Sequence, residues 1–196
     1  MQSTDQPGQE AILQIFIDAG ALLQGHFLLT SGKHSDRYVQ CAQVLKYPDR
    51  TEILMKALKA RVKGPVDLVA GPAMGGVIVA YEMARQLGVP AIFTEREGGV
   101  MTLRRGFAVE PGQRVLVVED VITTGGSVQE TIDCIRSAGG IVEEAAVLVD
   151  RSGGEHVLQV PVVSLLELTI QTYEPQVCPL CRDSRPVKPG SRNLAG

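Results

Sequence analysis

From residue 66 onward, short runs of aliphatic and β-branched residues alternate with stretches of helical hydrophobic spacing. Strands are predicted at residues 66–70, 90–94, 114–119, 141–149 and 161–166. Helices are predicted at about residues 75–88 and 126–138. Such alternation is typical of a mostly parallel sheet flanked by helices, because each parallel connection needs a crossover. We therefore predict an α/β fold, whose ligand binds beyond the carboxyl ends of the strands.

The N-terminal part of the chain follows a different pattern. The stretch "QEAILQIFIDAGALLQG" has helical spacing through Leu22 and Leu23, and "DRTEILMKALKARVKG" predicts a second helix. Between them, "HFLLTSGKHSDRYVQCAQV" predicts two short strands around a Ser-Gly turn. After Thr169 the chain is rich in proline and charge, so residues 170–196 are expected to form a tail on the surface or on a partner.

The stretch "VLVVEDVITTGGS", residues 115–127, ends one of the predicted strands. Glu119 and Asp120, here called the acidic pair, follow a buried apolar run, where charge is costly unless a ligand meets it. Residues 123–127 form a hydroxyl- and glycine-rich loop before a helix, which we expect to begin with Ser127 and Glu130 as a capping box. Free N–H groups at a helix N-terminus bind anions, so we call this segment the phosphate loop. The acidic pair would then meet sugar hydroxyls or a divalent cation.

Two simpler interpretations of this stretch were weighed. A glycine pair and a serine before a helix can serve the fold alone, as an ordinary turn. The lysine of the P-loop pattern is missing and the glycine spacing does not fit G-x-G-x-x-G, which argues against a nucleotide hydrolase or a dinucleotide enzyme.

Composition excludes several classes of protein. With 196 residues the chain suits a single domain, and 44% hydrophobic residues without tryptophan describe an aliphatic core. A formal charge of −3 offers no basic surface for nucleic acid, and no apolar run is long enough to span a membrane. The N-terminus lacks the pattern of a signal peptide, so we expect a cytoplasmic protein.

The stretch of residues 115–127 closely resembles the phosphoribosyl pyrophosphate motif of type I phosphoribosyltransferases. The resemblance implies that fold, with the acidic pair on the ribose hydroxyls and the following loop around the 5-phosphate. The residues implied for that loop are Val121, Ile122, Thr123, Thr124, Gly125, Gly126 and Ser127. The stretch "LVAGPAMGG" resembles the family's pyrophosphate loop, residues 71–76, with Met74 and Gly75 at its centre.

Within the family, the orotate members are the best match. The stretch "FLLTSGKHSDRYVQ" resembles their hood over the base, expected at about residues 1–45, and "VLVDRSGG" resembles their base site. The resemblance implies transfer of phosphoribose from phosphoribosyl pyrophosphate to orotate, with Mg²⁺ as cofactor. Thr123, Arg151 and Lys33 are the residues implied for orotate. Two alternatives stay open: a purine phosphoribosyltransferase, and a non-enzymatic regulator that senses phosphoribosyl pyrophosphate on the same fold.

Two positions depart from many relatives, which have lysines where this chain has Met74-Gly75 and His34. Positive charge in their place is expected from Lys33, Arg96, Arg104 or Arg105, the last three on a long glycine-containing connection typical of a lid. The resemblance also implies a homodimer in which this loop completes the partner's site, with Arg104, Arg105 and Asp120 as the catalytic residues. The plainer alternatives are a solvated basic turn for Arg104-Arg105 and a hydrogen-bonded hood residue for His34.

Four cysteines remain. Cys41 and Cys134 are isolated in the sequence, whereas Cys178 and Cys181 form one C-x-x-C. A closed zinc site needs four ligands and one pair supplies two, so we expect no bound zinc and no metal-ligating residues. A zinc knuckle completed by another chain, or a redox pair, is the alternative to a tight turn with reduced thiols.

Overall fold

The structure is a computed structural model that describes residues 7–29 and 31–189. Thr30, the first six residues of the predicted hood and the last seven of the predicted tail lie outside the described residues. In chain order, the helices and strands are α1 (Gln9–Asp18), β1 (Leu22–Leu28), β2 (His34–Val39), α2 (Ala42–Leu45), α3 (Pro48–Lys59), β3 (Leu68–Pro72), α4 (Gly75–Leu87), β4 (Ala91–Glu97), β5 (Val100–Leu103), β6 (Val115–Ile122), α5 (Gly126–Ser137), β7 (Ala145–Asp150), β8 (Val162–Glu167) and β9 (Thr172–Tyr173). Two short 3-10 helices, Pro175–Val177 and Pro179–Arg182, follow β9.

The larger sheet confirms the predicted α/β class. Its order is β5-β4-β3-β6-β7-β8, and every neighbouring pair is parallel except β4 with β5. Helices cover both faces of this sheet, and alternate side chains of β6 pack against different helices. Leu116 and Val118 lie in a core cluster with α1, α3 and α4, whereas Val115 and Val117 lie in a second cluster with α5. No helix of residues 7–29 and 31–189 is long and apolar enough to cross a membrane.

Several predicted boundaries were wrong. The first helix ends at Asp18, and Leu22 and Leu23 belong to β1, because Gly20 adopts a positive φ of 67° that breaks the helix. The strand predicted at residues 141–149 begins only at Ala145. The connection after β4 is also not one long loop, since β4 and β5 form an antiparallel hairpin around Gly98 and Gly99.

The smaller sheet joins the N-terminal hairpin to the tail. Its order is β1-β2-β9, and Val187 adds a bridge on the outer side of β1, exchanging backbone hydrogen bonds of 2.8 Å with His26 and Leu28. The described part of the tail therefore packs on the hairpin of its own chain. The division into one domain with hood and tail stays a prediction.

Gly140, between α5 and β7, offers a test of this packing. A Cβ built there would lie 2.7 Å from Ile135 Cγ2 and 2.9 Å from Val109 Cγ1, inside the second core cluster. Gly140→Ala should lower the free energy of unfolding by about 1–3 kcal/mol, measured by chemical denaturation, because both neighbours must move. The control is Gly126→Ala, whose added Cβ would meet nothing closer than 3.7 Å. Equal stability of the two variants would contradict the packing described.

Candidate active site

The order in which strands are added to the larger sheet reverses between β3 and β6, although the two strands are parallel. These strands are neighbours, but the chain proceeds from β3 to β4 on one side and from β6 to β7 and β8 on the other. In open α/β sheets such a switch point leaves a crevice at the carboxyl edge, where ligands bind. The pyrophosphate loop after β3 and the phosphate loop after β6 both lie at this edge.

The two loops approach each other closely. A Cβ on Gly75 would lie 2.7 Å from Asp120 Oδ1, and one on Gly71 would lie 2.6 Å from the carbonyl oxygen of Gly76. Only glycine permits this separation, because real Cβ atoms do not approach other heavy atoms so closely. The structure therefore brings together Asp120 and the Met74-Gly75 segment. The Met74 side chain itself is 87% exposed.

The phosphate loop surrounds a small cavity. Its volume is about 100 Å³, and its lining is formed by Glu119 and the residues from Val121 to Val128. Helix α5 begins at Gly126, and Gly125 precedes it with a φ of 80° and a potential Cβ contact of 3.0 Å to Leu158. The predicted capping box is therefore wrong, since Ser127 lies inside the helix and no side chain caps its start. Apart from a long 3.5 Å contact of the Gly126 N–H with Thr124 Oγ1, the N–H groups of the first turn are available to an anion.

The acidic pair lies within β6 rather than after it. The strand continues to Ile122, which pairs with Asp150 on β7. Glu119 Oε1 accepts a hydrogen bond of 3.1 Å from the Asp120 N–H, and Asp120 Oδ1 accepts one of 2.7 Å from the Val121 N–H. Among the salt bridges of the described residues, none involves either carboxylate.

Burial raises the pKa of both acids. For Glu119, loss of hydration is the largest cause and the adjacent Asp120 charge the next, whereas for Asp120 the effect of burial exceeds the opposing hydrogen bonds. Two like charges thus stand at the mouth of the crevice without a cation to balance them. A ligand that brings hydroxyl donors or a divalent cation would stabilise their ionised form.

Arg151 follows β7 on the same edge of the sheet. Its N–H donates a 2.9 Å hydrogen bond to the Ile122 carbonyl, and its buried Nε has no hydrogen-bond partner among the described residues. Burial lowers the pKa of Arg151, while Tyr38 and Cys41 act in the opposite direction because both lie near the guanidinium. A half-buried guanidinium with an unused donor is suited to an anionic ligand.

Tyr38 and Cys41 belong to this site although the sequence analysis assigned them no role. The Cys41 Sγ donates to the Asp120 carbonyl at 3.7 Å, and burial raises the pKa of its thiol, assisted by the Asp120 and Glu119 charges. Cys41 therefore lies between the acidic pair and Arg151. Tyr38 on β2 brings the hairpin to Arg151. No local motif could have revealed these contacts, which join residues about 80 to 110 positions apart.

The three arginines expected at the pyrophosphate are paired with carboxylates of their own chain. Arg96 Nη1 lies 2.6 Å from Glu130, and Arg104 Nη2 lies 3.3 Å from Glu97. Arg105 binds Glu95 through two hydrogen bonds of 2.7 and 2.9 Å. The structure does not bring Arg104 or Arg105 to the acidic pair of the same chain.

Lys33 lies apart from the base site as well. Its Nζ forms a 3.0 Å salt bridge with Glu174 in the tail. Along β2, the residue after Lys33 is separated from Tyr38 by four positions, about 13 Å of strand. Of the residues expected to bind orotate, Thr123 and Arg151 therefore share one edge of the sheet, and Lys33 contacts the tail.

The buried acidic pair makes the stability of the protein depend on pH. A carboxyl whose pKa is raised by folding favours the protonated form, so stability falls as pH rises above the unfolded value, 4.5 for Glu119. Glu119→Gln removes this cost. The variant should be more stable at neutral pH by about 1–3 kcal/mol, and the gain should disappear as pH falls below about 4.5.

Denaturant unfolding of the ligand-free protein across this pH range, in the presence of a chelator, measures the effect. Glu110→Gln provides the control, since Glu110 is an exposed carboxylate before β6. If the Glu119→Gln variant is no more stable than this control at neutral pH, burial of the ionised Glu119 carboxylate does not destabilise the folded protein.

Comparisons with known proteins agree with this geometry. Residues 42–180 match the model of the phosphoribosyl transferase domain. The orotate phosphoribosyltransferase of Pelotomaculum thermopropionicum is 56% identical over 188 residues, which cover 95% of this chain and 99% of that protein. The one from Desulforamulus reducens is 55% identical, covering 95% and 98%. The crystal structure of orotate phosphoribosyltransferase from Aeropyrum pernix has a TM-score of 0.70 at 31% identity, covering 80% of this chain and 93% of that chain. The chain therefore belongs to the phosphoribosyl transferase domain family and, within it, to the orotate phosphoribosyltransferases.

Proposed function

We propose that this chain transfers the 5-phosphoribosyl group from phosphoribosyl pyrophosphate to orotate, giving orotidine 5'-monophosphate and pyrophosphate in pyrimidine biosynthesis. The observation that carries the proposal is the meeting of three strand ends at one crevice. These supply the pyrophosphate loop, the acidic pair with its phosphate loop, and Arg151. The bound molecules must then offer phosphate groups to the two loops, sugar hydroxyls to the acidic pair and an anion to Arg151. Phosphoribosyl pyrophosphate supplies the phosphates and hydroxyls, and orotate supplies the anion.

The phosphoribosyl group fits the β6 end of the crevice. The 5-phosphate would occupy the cavity of the phosphate loop, where it would accept hydrogen bonds from the free amides of α5 and from hydroxyls such as those of Thr124 and Ser127. The ribose hydroxyls would donate to Glu119 and Asp120, which have no competing cation among the described residues. The pyrophosphate would lie along residues 71–76, where Gly75 leaves room beside Asp120.

Mg²⁺ belongs to the proposal as the cofactor. The two carboxylates at the crevice supply hard oxygen ligands of the kind that Mg²⁺ prefers, and burial raises the pKa of both, so a bound cation would stabilise their ionised form. When bound, the ion would offset negative charge on the pyrophosphate. The acidic pair would hold it together with the substrate's own oxygens.

Orotate would bind on the Arg151 side. Its carboxylate can accept charge-assisted hydrogen bonds from the buried, unpaired Nε, and Thr123 at the end of β6 would touch it from the loop. Tyr38 would close the site from the hairpin. Lys33 was proposed here on resemblance alone, and its contact with Glu174 leads us to omit it from the orotate site.

Breaking the ribose C1–pyrophosphate bond develops positive charge on the ribose and negative charge on the leaving group. The acidic pair would lie close to the ribose, where its negative charge would stabilise the developing positive charge. Arginines can neutralise the leaving pyrophosphate, and closure over the crevice excludes water that would compete with orotate. No side-chain nucleophile is required. We expect this biosynthetic chemistry to take place in the cytoplasm.

A homodimer with shared active sites is part of the proposal. The β4–β5 hairpin continues three residues beyond Thr94, the partner of Pro72 at the end of β3, and so projects past the carboxyl edge. β5 lies two strand spacings, about 10 Å, from β3, which the pyrophosphate loop follows, and Arg104 and Arg105 are held on the hairpin by Glu97 and Glu95. A neighbouring subunit could receive these side chains once they leave Glu97 and Glu95. The resemblance to the orotate members is what favours action in trans.

The direct assay is incubation of the pure protein with phosphoribosyl pyrophosphate, Mg²⁺ and each base in turn. We expect the absorbance of orotate to fall and no product from adenine, guanine or hypoxanthine. Turnover of a purine would support the alternative transferase. Tight binding of phosphoribosyl pyrophosphate without turnover of any base would support the regulator.

Arg151→Ala tests the assignment of the orotate site. The KM for orotate should rise about 10- to 100-fold, because a hydrogen bond to a charged group contributes about 1.5–3 kcal/mol. The KM for phosphoribosyl pyrophosphate should change little. Arg37→Ala serves as the control, since Arg37 is an exposed arginine next to Tyr38 on β2. Equal changes in both KM values would make Arg151 a structural residue.

Subunit mixing tests the shared site. One variant carries Arg104→Ala with Arg105→Ala, the other Asp120→Asn; they are unfolded and refolded together. If the loop acts in trans, a mixed dimer holds one intact site, and about a quarter of wild-type activity should return, since half the dimers are mixed. Each variant refolded alone gives the baseline. Activity that stays at this baseline would place the arginines in the site of their own chain.

A further inference from the structure

Four potential metal ligands meet beneath the tail, away from the crevice. They are His26 on β1, His34 on β2, and Cys178 and Cys181 in the tail, and their ligand atoms all lie within 4.8 Å of one another. Three of the four side chains are buried, and Cys181 is exposed. The proposed transfer reaction uses none of them.

The distances describe a tetrahedron. His26 Nε2 lies 2.9 Å from His34 Nδ1, 3.6 Å from Cys178 Sγ and 3.8 Å from Cys181 Sγ, and Cys181 Sγ lies 3.3 Å from His34 Nδ1. A tetrahedral zinc with Zn–N bonds of about 2.0–2.1 Å and Zn–S bonds of about 2.3 Å has edges of about 3.3–3.8 Å. The four separations given lie within about half an ångström of these edges, and the remaining two are at most 4.8 Å, so the ligands need to move inward by about 1 Å or less to bind the ion.

Hydrogen bonding alone does not account for the cluster. His26 Nδ1 lies 3.1 Å from the Ser184 carbonyl oxygen and 3.1 Å from the Ser184 Oγ, whose own hydrogen points to the Leu180 carbonyl, and we assign the Nδ1 proton to the bond with the carbonyl. The single lone pair on Nε2 then faces three potential donors, the His34 Nδ1–H and the thiols of Cys178 and Cys181. One lone pair cannot satisfy three donors. With a cation at the centre, the two thiols and the His34 Nδ1 lose their protons, and all four atoms donate an electron pair to the metal.

The surroundings of His26 fit this role. Metal-bound histidines commonly donate their second N–H to a carbonyl, which fixes the ring orientation and the tautomer, and Ser184 supplies such a carbonyl. The C-x-x-C of residues 178–181 is held by a 3-10 helix, Pro179–Arg182, whose turn brings both sulfurs to one side. Two thiolates and two imidazoles are ligands that select Zn²⁺ over Mg²⁺ or Ca²⁺.

We propose that His26, His34, Cys178 and Cys181 bind one structural Zn²⁺ that fastens the tail to the β1–β2 hairpin. Four protein ligands leave no open position for catalysis, so the role is structural. The proposal replaces the expectation of no bound zinc, which counted the two thiols and could not foresee two imidazoles contributed from about 150 residues away. Because β2 also holds Tyr38, whose charge would raise the pKa of Arg151, the metal would fix a strand that lies near the proposed orotate site.

The first test measures metal content. The full chain, produced in zinc-supplemented medium and purified under reducing conditions, should contain one zinc per chain by elemental analysis. Cys181→Ser should lose most of it, whereas Cys134→Ser, at a half-buried cysteine on α5, should keep it. A wild-type zinc content well below stoichiometric, or zinc retained equally by both variants, would overturn the proposal.

The second test needs no variant. The metal-free, reduced chain is titrated with Co²⁺, which should produce the intense visible absorption of tetrahedral cobalt and thiolate-to-cobalt charge-transfer bands, saturating at one equivalent. Zn²⁺ should then remove both. The weak spectrum of octahedral cobalt would overturn the proposal, as would a Cys178–Cys181 disulfide in protein kept under reducing conditions. Protection of residues 172–187 from proteolysis should also increase on adding Zn²⁺, because the tail is then fixed to the hairpin.

Discussion

The close approach of the chain at Gly75 to the carboxylate of Asp120 determines the arrangement of the site. It sets the distance between the ends of β3 and β6, and it leaves no volume for a side chain between the pyrophosphate loop and the acidic pair. Both carboxylates are also buried, and loss of hydration raises their pKa values. The ligand-free site is therefore destabilised in a specific way, by negative charge that lacks partners. Substrate hydroxyls and a divalent cation supply those partners, so part of the binding free energy comes from relieving this local cost.

Regular features of the fold could be predicted where one physical rule dominates. The buried face of α5 at Val128, Ile132 and Ile135 follows from helical spacing, and the strands of the parallel sheet follow from continuous aliphatic runs. Local rules failed where another interaction outweighed them. Hydrophobic spacing extended the first helix through Leu22, although Gly20 ends it, and Ser127 had the sequence of a cap, although Gly125 takes the left-handed conformation that starts the helix instead. In the β4–β5 hairpin the two glycines mark a turn rather than a flexible lid.

The acidic pair and its loop were identifiable because the sequence places them within thirteen consecutive residues. Contacts between distant segments left no such pattern. Cys41 touches the backbone of Asp120, Tyr38 approaches Arg151, and His26 meets Cys178, and each contact exists only after the sheet or the tail has assembled. The two histidines lie on neighbouring strands, each followed by another buried residue, Phe27 or Ser35, and this local pattern does not indicate a metal site. Sequence patterns thus describe the loops that hold the phosphoribosyl group better than the walls that surround the base.

The ion pairs of the hairpin arginines bear on how an active site can close. Arg105 is held by two hydrogen bonds to Glu95 and lies over the Phe93 ring, and Arg104 is held by Glu97, so each guanidinium is oriented before any ligand arrives. These pairs are solvent-exposed, and exposed pairs contribute little stability, typically below about 1 kcal/mol. A pyrophosphate group offers more negative charge than one carboxylate and accepts bidentate hydrogen bonds. In the proposed shared site, exchange of Glu95 and Glu97 for a partner's pyrophosphate would be favourable only when that ligand is present. In this view the carboxylates keep the hairpin ordered between turnovers, and the arginines need no lysine in the pyrophosphate loop to neutralise the leaving group.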